Sequence, residues 1–106
     1  MEPAERLQGL INDNGVLLFM KGTPDFPMCG FSMKAAQALA AAGKTDYAFV
    51  NVLEDQEARS KLPEVSNWPT FLQLFIGGEL IGGSDIILEM FGNGELKQEL
   101  DALDAK

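Results

Sequence analysis

The chain has 106 residues, 46% of them hydrophobic, and a formal net charge of −8. That length suits one domain with a modest core of its own, and the acidic balance argues against nucleic acid as a partner, because phosphate binding needs a basic face. A single cysteine excludes an internal disulfide framework and suggests a reducing compartment, while the lack of histidine removes imidazole zinc sites and the usual activating base of a hydrolase.

The opening Met1-Glu2-Pro3-Ala4-Glu5-Arg6 has no basic region leading into an apolar stretch, so it does not read as a signal peptide, and no segment approaches the roughly 18 apolar residues of a membrane helix. The expectation is a soluble protein of a bacterial cytoplasm, or of an organelle matrix if a transit peptide has been removed. Pro3 suits the first turn of a helix whose Leu7, Leu10 and Ile11 share one face, and Asn12-Asp13-Asn14-Gly15 closes it. Val16–Met20 is a short continuous apolar run and predicts a strand buried on both faces.

Lys21-Gly22-Thr23-Pro24-Asp25-Phe26-Pro27-Met28-Cys29-Gly30-Phe31-Ser32 carries the cysteine where a loop with two prolines gives way to a helical pattern. An alanine-rich run follows (Ala35, Ala36, Ala38, Ala40, Ala41, Ala42), and Gly43 is its natural stop. Cys29 is therefore expected at a helix N-terminus, among backbone N–H groups that lack intrahelical partners and favour a thiolate. Ser32 stands where a Cys-x-x-Cys pair would place its second sulfur, and a hydroxyl cannot close a disulfide. Phe31, Ala35, Ala38, Leu39 and Ala42 form the expected apolar stripe. Lys21, Lys34, Arg59 and Lys61 are expected around the cysteine, as a cationic patch suited to a small anion.

Residues 47–52 read as a second strand, completing a βαβ unit with parallel strands and placing Cys29 at the carboxyl edge of the first, where open α/β sheets bind ligands. Residues 54–62 predict a polar helix closed by Pro63, residues 66–70 a loop, and residues 71–76 a third strand. Gly77-Gly78 is a two-residue hairpin turn into Glu79-Leu80-Ile81. Ser84 is the expected N-cap of a helix through Ile86, Ile87, Leu88 and Met90; Gly92-Asn93-Gly94 breaks it, and Leu96, Leu100 and Leu103 mark a last amphipathic helix. The result is an α/β fold: a mixed four-stranded sheet, made of a parallel βαβ pair and an antiparallel hairpin, flanked by helices in a single domain of residues 1–106.

Lys21-Gly22-Thr23-Pro24 and Cys29-Gly30-Phe31-Ser32, then Asn67-Trp68-Pro69-Thr70-Phe71, then Gly82-Gly83-Ser84-Asp85, resemble the monothiol glutaredoxins of the Cys-Gly-Phe-Ser type, in order and over nearly the whole chain. The resemblance implies a thioredoxin-like fold and a cysteine that either exchanges with glutathione or ligates a [2Fe–2S] cluster. Such a cluster takes four thiolates and this chain has one, so a homodimer bridged by the cluster and completed by two glutathiones satisfies the count. By resemblance, Cys29 is both the catalytic thiol and the metal ligand. Lys21 and Arg59 would bind the glycine carboxylate of glutathione, Asp85 the γ-glutamyl ammonium, and Ser84 the γ-glutamyl carboxylate at a helix N-terminus. Phe71 would pair its backbone with the cysteinyl part, as an added strand does. For Trp68, packing and ligand contact both stay open.

The function implied is a glutathione-dependent carrier that delivers [2Fe–2S] clusters to apoproteins, with weak or no oxidoreductase activity; the resemblance also allows a BolA-type partner. The alternative is a thiol-transferase that removes glutathione from protein mixed disulfides by a monothiol mechanism. An interaction module with an inert cysteine would leave the lone thiol beside Lys21 unexplained. Two residues depart from the family pattern. Ser84 replaces a common cysteine, which rules out a secondary disulfide with Cys29. Leu72 replaces the cis-proline opposite the thiol, where a cis bond is costlier before leucine than before proline. The cis geometry is nevertheless expected, because a shift would disturb the register of the following strand.

Overall fold

The computed structural model describes residues 2–68 and 71–104. Nine elements follow in order: α1 (Pro3–Asp13), β1 (Val16–Met20), α2 (Gly30–Ala41), β2 (Ala48–Asn51), α3 (Gln56–Ser66), β3 (Gln73–Ile76), β4 (Glu79–Gly82), α4 (Ser84–Asn93) and α5 (Glu95–Asp104). The strands form one sheet in the order β2-β1-β3-β4, with β1 and β2 parallel and the other pairs antiparallel. Gly77 and Gly78 both take positive φ (61° and 84°), the conformation the hairpin turn needs. The mixed four-stranded sheet flanked by helices, with a parallel βαβ pair and an antiparallel hairpin, is the one expected from the sequence.

β1 is buried along its whole length because it lies inside the sheet with helices on both faces. Its alternate side chains feed two separate cores. Val16, Leu18 and Met20 pack with Ala35, Ala38 and Leu39 of α2, Ile87 of α4, and Leu96 and Leu100 of α5. Leu17 and Phe19 pack on the other face with Leu7 and Ile11 of α1, Ala58 and Leu62 of α3, and Phe75 of β3. Phe19 and Phe75 meet edge to face, with ring centroids 5.7 Å apart. Full burial of each large side chain contributes about 1.5–3 kcal/mol, so both helical layers are held through the one strand that leads directly to Lys21.

Several local expectations are corrected. Phe31 is exposed and not part of the buried stripe of α2: it lies in the first turn, where Ser32 is the buried residue. β2 and β3 are shorter than expected, four residues each. Pro63 lies inside α3, which runs on to Ser66 and ends at Asn67 in the left-handed conformation. An interior proline costs roughly 3 kcal/mol; the turn beyond it is held by Val65 packing on the second core and by the Ser66 hydroxyl, which donates to the Leu62 carbonyl at 3.0 Å. The N-cap of α4 is Gly83, and Ser84 is the first helical residue. The Phe71–Leu72 peptide is cis, as expected. Pro69 and Thr70 lie outside the described residues.

α1 and α3 are also tied through Asp55. Its carboxylate caps α3 by accepting from the Ala58 N–H at 3.0 Å, and it takes the Arg6 guanidinium at 2.9 and 3.0 Å. Burial works against ionisation of Asp55, but the bonds from Arg6 and the Ala58 N–H outweigh it and hold the carboxyl below the usual aspartate range. A lowered folded-state pKa means the contribution is present above about pH 4 and is lost as pH falls through the lowered value. Asp55→Ala is expected to lower unfolding stability by about 1–2 kcal/mol in denaturant titrations at neutral pH, combining the cap with a half-exposed ion pair. The difference from the unsubstituted protein should shrink in acid.

Candidate functional site

The segment after β1 folds back on itself before α2 begins. The Met28 N–H donates to the Lys21 carbonyl at 2.9 Å, and Thr23 and Phe26 exchange backbone bonds at 3.1 and 3.2 Å. Gly22 is required at this crossing: its φ is 92°, and a Cβ there would stand 2.4 Å from the Phe26 carbonyl oxygen. The loop is anchored to β2 by Asn51, whose Oδ1 accepts from the N–H groups of Gly22 and Leu53, each at 3.0 Å.

Cys29 is the N-cap residue of α2, as the sequence predicts, and its carbonyl accepts the first helical bond, from Met33 at 3.0 Å. The sulfur does the work of a capping oxygen, accepting from the Ser32 N–H at 3.4 Å. Ser32 is more than a vacant second position. Its side chain is buried, and its Oγ lies 3.4 Å from the sulfur while accepting from the Lys21 N–H at 3.1 Å. With that lone pair engaged, the hydroxyl proton is directed to an ionised sulfur, making a charge-assisted bond.

Burial works against the Cys29 thiolate. It is outweighed by the Ser32 hydroxyl, the Ser32 and Phe31 N–H groups and the Lys21 charge, so the thiol pKa lies below the ordinary cysteine value. Of the four expected cations, Lys21 is the one that acts on the sulfur; Lys34, Arg59 and Lys61 are exposed on α2 and α3. Phe26, Met28 and Phe31, from 59 to 76% exposed, present apolar side chains in the segment that carries the partly exposed thiol.

A cavity of about 270 Å³ opens beside Phe31, lined also by Trp68, Phe71, Gly83, Ser84, Asp85 and Ile86. It brings together three of the expected site residues, Phe71, Ser84 and Asp85, from segments far apart in the chain. Arg59 lies outside it. The N-terminus of α4 at its wall has no side-chain cap, so its first N–H groups remain available to an anion. A larger groove along β2 contains Arg6, but that cation is already engaged by Asp55 and Glu57. Sequence reasoning missed the bridging role of Ser32 and the anchoring role of Asn51. No local signal marks Asn51, whereas a hydroxyl at the second position of a Cys-x-x-Ser segment was visible as a donor for a neighbouring thiolate.

Ser32→Ala is expected to raise the Cys29 pKa and slow alkylation at neutral pH several-fold, followed by ultraviolet thiolate absorbance across a pH titration. Lys21→Met should have a smaller effect that added salt abolishes in the unsubstituted protein. Gly22→Ala is expected to destabilise the fold by roughly 2 kcal/mol or more, seen as a lower unfolding midpoint, because both the positive φ and the Phe26 carbonyl oppose a side chain.

Residues 16–81 match the family model described as Glutaredoxin. Glutaredoxin 4 of Buchnera aphidicola subsp. Acyrthosiphon pisum (strain APS) is 55% identical over 94 residues, spanning 89% of this chain and 86% of that one. The solution structure of reduced poplar apo GrxS14 is 41% identical, with a TM-score of 0.81 over 96% of this chain and 93% of that one. The holo form of glutaredoxin C1 from Populus tremula x tremuloides is 26% identical, with a TM-score of 0.85 over 98% and 91%. With one thiol in a Cys-Gly-Phe-Ser segment on this fold, the chain belongs to the glutaredoxin family and is of its monothiol type.

Proposed function

We propose that the chain, acting as a single domain, is a glutathione-dependent carrier of [2Fe–2S] clusters that passes its cargo to apoproteins. The observation that carries this reading is a stabilised thiolate capping the helix whose Phe31 lines a cavity with an uncapped helix start and an acidic residue. Glutathione fits that arrangement: Lys21 and Arg59 would take its glycine carboxylate, the Phe71 backbone its cysteinyl part, the α4 N-terminus at Ser84 its γ-glutamyl carboxylate, and Asp85 its ammonium. The donor set fits the cargo only in a shared form. Among the described residues no three His, Cys, Asp or Glu side chains come together to hold a metal, and one chain supplies one of the four thiolates a [2Fe–2S] centre takes. Two copies of Cys29 and two glutathione thiols complete the count, so the carrier is a homodimer. The exposed apolar side chains of Phe26, Met28 and Phe31 suit contact with a second chain. The holo form of glutaredoxin C1 is consistent with a bound group on this fold. A bacterial cytoplasm is the proposed setting, with apo iron–sulfur proteins as recipients and a BolA-type protein as a further partner.

The Ser32-stabilised thiolate also favours a second reading, monothiol transfer. Cys29 attacks the glutathionyl sulfur of a protein mixed disulfide, the protein thiolate leaves, and Cys29 carries the glutathionyl group. A second glutathione thiolate then attacks that sulfur, releasing glutathione disulfide and restoring Cys29.

Anaerobic reconstitution with iron, sulfide and glutathione, followed by visible spectroscopy and size measurement, separates the two. The expected result is a coloured dimer whose cluster is lost without glutathione and in Cys29→Ser. An iron-free monomer that turns over a glutathionylated substrate would replace the carrier reading with the transferase.

A further inference from the structure

Trp68 is the only tryptophan in the chain, and it lines the cavity shared by Phe71, Ser84 and Asp85. Its indole Nε1 is buried and has no hydrogen-bond partner among the described residues. A packing role alone does not account for that, because a buried indole N–H almost always finds an acceptor. The adjoining N-terminus of α4 is in the same condition, with Gly83 as its N-cap and no side chain satisfying its first N–H groups. Two sets of unmatched donors therefore share one wall of one cavity.

Gly83 lies between them. A side chain there would begin 3.6 Å from the indole nitrogen and 3.3 Å from the Leu72 carbonyl oxygen. With only a hydrogen at that position, no side chain of residue 83 separates the indole nitrogen from the N-cap of α4. A group bound at this point must be an acceptor, and the positive end of the helix favours an anionic one. We infer that the Trp68 indole N–H is a ligand donor, hydrogen-bonding the carboxylate held at the N-terminus of α4. The inference rests on the reading of this cavity as the glutathione site and adds an orienting function to it. The donors of Trp68 and α4 select the carboxylate of the γ-glutamyl group, while Asp85 takes the ammonium, so the ligand enters in one direction.

The single indole N–H gives one assignable signal in a ¹⁵N–¹H correlation spectrum of the intact protein. On titration with reduced glutathione, the expected result is that this signal shifts on the same binding curve as the backbone amides of Phe71, Ser84 and Asp85, and that its exchange with water slows. Amide shifts with an unmoved indole signal would overturn the inference and leave the glutathione site standing. No shift at any of these positions would overturn both. Trp68→Phe keeps an aromatic ring and removes the donor, and is expected to weaken glutathione binding about tenfold, the size of one hydrogen bond to a charged acceptor. Unchanged affinity in a folded Trp68→Phe protein would also overturn the inference.

Discussion

Ser32 lies under the thiol with its hydroxyl between the Lys21 N–H and the Cys29 sulfur, and the surrounding structure depends on keeping that oxygen in place. Lys21 is fixed because it continues from β1, the strand buried on both faces. Ser32 is fixed because it lies in the first turn of α2, whose next turns pack Ala35, Ala38 and Leu39 into the core. The bridge therefore joins the end of a strand to the start of a helix, the two elements whose relative position defines the site. A second sulfur at this position could form a disulfide; a hydroxyl keeps the bridge reversible and leaves the cysteine free to bond to something outside the chain.

The glutathione half of the proposed site is built differently. Phe71 comes from the segment before β3, and Ser84 and Asp85 from the first turn of α4, so neither is adjacent in sequence to the thiol loop. The sheet brings them together: β3 lies next to β1, β4 next to β3, and α4 follows β4 after a turn at Gly82-Gly83. Small residues at that turn let the Leu72 carbonyl and the Trp68 indole come close to the start of the helix. The chemistry thus rests on long-range pairing of strands, and motif residues alone do not create it.

That division explains what could be read in the sequence. β1, the helical run after Cys29 and the Gly-Gly hairpin were legible because each is dictated by local pattern: a continuous apolar run, an alanine-rich segment, two residues able to take positive φ. The position of Cys29 as the cap of α2 followed from the same local logic. Pro63 misled because its local preference was overridden by packing beyond it. Phe31 has helical spacing but is exposed in the first turn, and Gly83 took the capping place expected of Ser84. Ser32 as a bridge and Asn51 as an anchor require knowing which N–H groups lie near them across the fold, and spacing does not carry that information.

The burial of β1 on both faces has a consequence for how the two halves of the site can respond to a ligand. The sulfur caps a helix packed into one core and is tied through the Ser32 hydroxyl to the N–H of Lys21, the residue that follows the strand shared by both cores. The opposite wall begins at a helix end without a side-chain cap and at a turn of two glycines. Accommodation therefore belongs to that wall. The thiol acts as a fixed reference point against which a ligand is measured, and the α4 side supplies the fit.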